Sequence, residues 1–272
     1  MSAILAAAGL TKTFGAVTAA AGITVSFEED TIVGLIGGNG AGKTTFINLV
    51  TGYLRPTAGT IRFGDRDITG LPPRQITRLG ICRSFQIPQV FESLTTYENV
   101  LVGLGIVALG RGAFVGSSLG GRAPEEVADE TLARFGLERY RSAPASALPE
   151  GVRKLLDIAM ALAVEPRVLL LDEPTSGVSA DEKFALMDLV LDAIRAQRVT
   201  VLFVEHDMEI VRRYTQRVLA FYDGRIIADG APERVLDDPE VRRYVVGEAA
   251  PAPSAAPAAS APAGAAGPEP SC

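Results

Sequence analysis

Residues 31–50, TIVGLIGGNGAGKTTFINLV, constrain this chain more than any other stretch. A short apolar strand pattern over 31–36 ends in glycines and passes at once into a helical pattern from Gly42 to about Val50. Between them Gly37, Gly38, Asn39, Gly40, Ala41, Gly42, Lys43 and Thr44 fit G-x-x-x-x-G-K-[ST], and Thr45 continues the run. Glycine tolerates backbone angles that let successive N–H groups turn inward around an anion, and a helix N-terminus adds the positive end of its dipole. In this setting Lys43 is expected to neutralise the β- and γ-phosphates of a nucleotide and the Thr44 hydroxyl to ligate Mg²⁺. A glycine-rich turn that merely resembled the motif would lack the flanking strand and helix.

Strands and helices alternate from there on. Residues 60–63 and 80–84 read as strands, and 168–171 and 199–204, apolar and rich in β-branched residues, as central parallel strands. Residues 152–163 place apolar side chains at 152, 155, 156, 159, 162 and 163, and Phe184, Met187, Val190, Leu191 and Ile194 repeat the helical period. The alternation predicts an α/β fold: a P-loop NTPase core with a mostly parallel sheet covered on both faces. Runs at 4–5, 17–19 and 23–27 predict an N-terminal antiparallel β-subdomain. Residues 87–150, with a glycine-rich segment at 103–121 and a helix near 125–135, predict an inserted helical subdomain. Asp223-Gly224 marks a hairpin turn. One domain is expected over 1–248. The Ala/Pro/Ser/Gly-rich remainder, 249–272, is expected to be a disordered tail, because such a composition buries too little to offset its ordering entropy.

Two further strand ends carry polar chemistry. Residues 168–173 read VLLLDE, an apolar strand ending in two acids, and ligand chemistry in such sheets gathers at strand ends. Asp172 is expected to hold Mg²⁺, usually through water, and Glu173 to polarise an attacking water. His206, the single histidine of the chain, follows the apolar strand at 201–204. A lone histidine is more often a satisfied surface or core residue, but its place at a third strand end assigns it to sensing the γ-phosphate. Gln86 ends the strand at 81–85 and reads equally well as a ligand to Mg²⁺ or the attacking water and as a loop glutamine. Phe14 reads equally well as a stacking surface for a purine and as ordinary core.

Bulk properties remove other classes. A net charge of −6 argues against nucleic acid as the main partner, because phosphate backbones demand a basic face. The two cysteines, Cys82 and Cys272, show no ligand spacing, which fits a reducing compartment. No basic segment precedes an apolar one at the N-terminus, and the uncharged run at 99–110 is well short of the ~20 residues that span a bilayer. Any membrane attachment is therefore expected through a partner. None of the three asparagines, Asn39, Asn48 and Asn99, is followed by lysine, so the guanine-reading Asn-Lys-x-Asp motif is absent.

The order P-loop, Gln86, Asp172-Glu173, His206 resembles the ATPase subunits of ATP-binding cassette transporters over residues 3–247. The phrases RSFQIPQVFESLTTYENV and VLFVEHDMEIV look most like the group that imports branched-chain amino acids, amides and urea. The resemblance implies ATP and Mg²⁺ as ligands and ATP hydrolysis coupled to import. It also implies integral-membrane permease subunits as partners, a second cassette, and indirectly a solute-binding protein, with the chain peripheral on the cytoplasmic face of the plasma membrane. It places Phe14 at the adenine-stacking aromatic and Gln86 at the loop that meets the permease. Two segments depart from the family pattern. Where its signature reads Leu-Ser-Gly-Gly-Gln, this chain has Leu148-Pro149-Glu150-Gly151-Val152, and Ser176-Gly177-Val178-Ser179 replaces Ser-Ala-Leu-Asp. Both elements act across a dimer of cassettes in the family, so a heterodimer is expected and a homodimer is the alternative. A soluble non-transport cassette ATPase and a binding-only regulatory cassette with weak hydrolysis are the competing readings.

Overall fold

The computed structural model describes residues 3–84, 88–110 and 121–247. Gln86 and the segment 249–272 lie outside the described residues. Two sheets form the framework. The first is antiparallel, in the order β2-β1-β4-β5, from β1 (Ala3–Phe14), β2 (Val17–Glu28), β4 (Ala58–Phe63) and β5 (Arg66–Asp67). The second runs β10-β9-β3-β8-β7-β6, from β3 (Ile32–Gly37), β6 (Ile81–Ser84), β7 (Val168–Asp172), β8 (Thr200–Val204), β9 (Arg217–Tyr222) and β10 (Arg225–Gly230). All its pairings are parallel except the β9–β10 hairpin, which turns at Asp223-Gly224.

The central parallel strands β3, β7 and β8 are buried along their whole length because both faces are covered. Alternate residues of β3, β7, β8 and β9 enter two separate cores. Val33, Leu35, Leu170, Leu202 and Phe221 join Phe46, Ile47 and Val50 of α1 (Lys43–Val50) and the inward side chains of the antiparallel sheet. Ile36, Leu171, Phe203 and Ala220 face α5 (Glu150–Ala163), α6 (Lys183–Gln197) and α7 (Met208–Tyr214) instead. The period-2 alternation of side chains across a strand produces this division.

Between β6 and β7 lie α3 (Thr96–Gly110), α4 (Pro124–Arg134) and α5. α5 packs against α3 and α4 and also against β6 and β7, so it belongs to both regions. Upstream, α2 (Pro73–Arg78) precedes β6. The three apolar runs before residue 30 form two twelve-residue strands rather than three short ones. Gly9 and Gly22, at φ 59° and 68°, bulge the pair without ending it. Threonines patch the ladder there: Gly9 donates to Thr24 Oγ1 (2.9 Å) and Gly22 to Thr11 Oγ1 (3.1 Å).

Candidate active site

The loop between β3 and α1 is held by close backbone contacts that admit only glycine. A Cβ at Gly42, where φ is 105°, would stand 2.7 Å from Ala19 O and 3.0 Å from Gly224 Cα. One at Gly37 would lie 2.6 Å from Phe221 O. β2 and the β9–β10 hairpin therefore grip the loop from two sides, while Gly38 and Gly40 face open space. Asn39 is exposed and Ala41 is buried, its carbonyl accepting from Gly224 N at 3.0 Å. No side chain caps α1, so its first-turn N–H groups keep the arrangement an anion needs. Lys43 is buried and folds back on the loop, with Nζ 2.5 Å from Gly37 O and 3.1 Å from Gly38 O. Burial pushes its pKa down, and the nearby carboxylates of Glu173 and Asp172 push it back up. Thr44 is exposed and Thr45 half-buried.

The ends of β7 and β8 bring the acids to this loop. Asp172 is buried and accepts from Arg83 Nη2 at 2.6 Å, while Arg83 Nη1 donates to Asn48 Oδ1 of α1 at 2.6 Å. One guanidinium thus ties β6, β7 and α1 together. Glu173 adopts φ 52°, a left-handed conformation uncommon for a non-glycine residue. Its N–H donates to Val204 O (3.0 Å), its carbonyl accepts from Lys154 Nζ (3.1 Å), and its Oε1 lies 3.0 Å from His206 Nε2. Glu205 is buried beneath and accepts from Thr175 N (3.1 Å), Thr175 Oγ1 (2.6 Å) and His206 N (3.1 Å). Asp207 caps α7 by accepting from Glu209 N at 2.9 Å.

The structure brings Lys43, Asp172, Glu173 and His206 together. Phe14 stands exposed at the β1–β2 turn with the Lys12 ammonium 5.0 Å from its ring centroid, so it is not a core residue. Pro149 is the N-cap of α5 and Glu150 its first-turn acid, and a Cβ on Gly177 would collide with the Glu150 carboxylate. Sequence reading passed over Arg83, Lys154 and Glu205. A charge inside the short strand ICRS was the available signal for Arg83. Lys154 fell on no apolar position of the α5 period and carried none.

Nucleotide and metal place different demands on these residues. The glycine cradle and the uncapped helix fit phosphates. Among the described residues no group of three or more His, Cys, Asp or Glu side chains forms a metal cage. Thr44 with Asp172 nearby suits Mg²⁺, which arrives on phosphates and takes only one or two protein oxygens.

Comparison with known proteins agrees with this fold. Residues 20–176 match the family model described as ABC transporter. The high-affinity branched-chain amino acid transport ATP-binding protein LivG of Salmonella typhimurium is 37% identical over 252 residues, which covers 90% of this chain and 98% of that protein. The corresponding protein BraF of Pseudomonas aeruginosa is 36% identical over 252 residues, with the same coverage of 90% and 98%. Among solved structures, the ADP conformation of MJ1267, an ATP-binding cassette of an ABC transporter, gives a TM-score of 0.78 at 31% identity, covering 91% of this chain and 100% of that one. The chain belongs to the ABC transporter family, as one of its ATP-hydrolysing subunits.

Proposed function

We propose that this chain hydrolyses Mg-ATP to power uptake of branched-chain amino acids or related amides through a membrane permease. The relatives named for branched-chain amino acid transport support the solute class. The observation that carries the mechanism is the Glu173–His206 contact of 3.0 Å beside a Lys43 whose charge Glu173 and Asp172 both feel. In this reading the carboxylate of Glu173 orients a water for attack on the γ-phosphorus. The bond to the β–γ bridging oxygen breaks, and ADP leaves with that oxygen. Lys43 and the N–H groups of 38–45 balance the charge on the phosphates, and His206 holds the Glu173 side chain and reads the γ-phosphate. Phe14, exposed at the β1–β2 turn, stacks on the adenine. Thr44, Asp172 and Gln86 would hold a Mg²⁺, which would supply charge neutralisation on the phosphates. Glu173→Gln tests the assignment. Nucleotide affinity is expected to stay within about threefold of wild type, while turnover falls roughly 10²–10⁴-fold. Turnover within threefold of wild type would remove Glu173 from the mechanism.

Among the described residues no helix is long and apolar enough to cross a membrane. We place the chain on the cytoplasmic face through its permease, with a solute-binding protein outside. We also propose a second, different cassette as partner. Pro149 offers neither hydroxyl nor N–H, and Glu150 sets a carboxylate at the start of α5, where the family places phosphate donors. A partner with the usual signature would complete the site built on Lys43 and Glu173, whereas a homodimer would hold two weakened sites.

A further inference from the structure

Lys154 lies near the start of α5, 4% exposed, and directs its whole ammonium at one loop. Nζ donates to Glu173 O at 3.1 Å, to Ser176 O and to Ser176 Oγ, so three N–H groups meet three oxygens. Burial pushes its pKa down, opposed by the carboxylates of Glu150, Glu205, Glu173 and Asp157. A buried ammonium is costly unless its donors are met, and here three oxygens accept from it while the surrounding carboxylates favour its charged form. Glu205 closes the other side of the same loop, accepting from the backbone and hydroxyl of Thr175. Residues 173–176 are therefore clamped between a buried cation and a buried anion.

The clamp acts on the residue that most needs it. Glu173 stands at φ 52°, a conformation that lasts only where the surroundings over-determine it. Val204 O fixes the peptide before it and Lys154 fixes the peptide after it. Those two peptides set the direction in which the carboxylate leaves the chain, toward His206. Lys154 is carried by α5, whose first turn also abuts the loop through Glu150 at Gly177 and Gly151 at Val178. The aim of Glu173 is thereby tied to the position of a helix that packs against α3 and α4.

We propose that Lys154 is a positioning residue for ATP hydrolysis, fixing the backbone of Glu173 so that its carboxylate meets the attacking water and making that alignment depend on the placement of α5. This rests on the reading that Glu173 orients the water. The test is steady-state ATPase of the full-length chain in its transporter complex, as Lys154→Met, Glu173→Gln and the double variant. Lys154→Met is expected to lower kcat roughly 10–100-fold, the range that follows small misplacements of a catalytic group, while KM for ATP and nucleotide affinity stay within twofold. Added to Glu173→Gln it is expected to change nothing further, because it acts through that side chain. A kcat within twofold of wild type, a change confined to KM, or losses that multiply in the double variant would each overturn the proposal. Should Lys154→Met fail to fold, Lys154→Gln, which keeps two N–H donors, is read by the same criteria. If Glu173→Gln turns over like wild type, the underlying reading falls as well; if Glu173→Gln is inactive and Lys154→Met is not, only the positioning role falls.

Discussion

Lys43 rests on two neutral carbonyls, Gly37 O and Gly38 O, where burial lowers its pKa against the opposing pull of Glu173 and Asp172. Exchanging those carbonyls for phosphate oxygens trades neutral acceptors for charged ones, which strengthens each hydrogen bond about twofold. Lys43→Ala should therefore weaken ATP binding by about 1.5–3 kcal/mol, or roughly 10- to 150-fold in Kd, measurable by calorimetry. An unchanged affinity would reject the role given to the loop. That Lys43, Asp172, Glu173 and His206 gather at one place was legible in the sequence, because each stands in a contiguous phrase at the end of a predicted strand. Arg83, Lys154 and Glu205 were not, because each acts on a residue far along the chain: Arg83 on Asp172, Lys154 on Glu173 and Ser176, Glu205 on Thr175. A contact made at long range leaves no local pattern. Only the tertiary fold says which group meets which.

At the scale of elements, α1, α5, α6, β3, β7 and β8 follow from periodicity, because each buries one stripe or both faces against a core. The lengths of β1 and β2 do not follow, since glycines that normally signal a turn serve here as bulges inside continuous strands. α5 raises the sharper question. Its N-terminus is the kind of site where helices bind anions, yet Glu150 occupies the first turn with a carboxylate of its own. Like charges a few ångströms apart repel by about 1–4 kcal/mol at the effective dielectric of a protein surface, so this end should receive a phosphate poorly. Pro149→Ser with Glu150→Gly should raise ATPase of the isolated chain by about an order of magnitude, the rate gained for each 1.4 kcal/mol. A different cassette as partner should achieve the same without mutation. If the wild-type chain alone already matches the double variant, the asymmetry is wrong.

At the scale of the molecule, two cores press on the two faces of the six-stranded sheet, and α1 lies between that sheet and the antiparallel one. The period of each strand announces a parallel sheet, but the order β10-β9-β3-β8-β7-β6 is set by packing at long range and was not legible. Because the glycine loop touches β2 and the β9–β10 hairpin, a nucleotide bound there braces both sheets. Mg-ATP at about 100 times its Kd should add about 2.7 kcal/mol of stability, raising Tm by roughly 5–10 °C for a domain of this size. Differential scanning calorimetry should show that rise in wild type and lose most of it in Lys43→Ala at the same ATP concentration. No rise in wild type would sink the idea. The central place of β3 also has a consequence for synthesis. β3 leaves the ribosome well before both strands that pair with it, β8 and β9, and Gly37 meets Phe221 about 180 residues later. At roughly 5–20 residues per second its two edges stay bare for about 10–40 s, a window in which nascent chains on neighbouring ribosomes are open to one another and a chaperone has the most to protect.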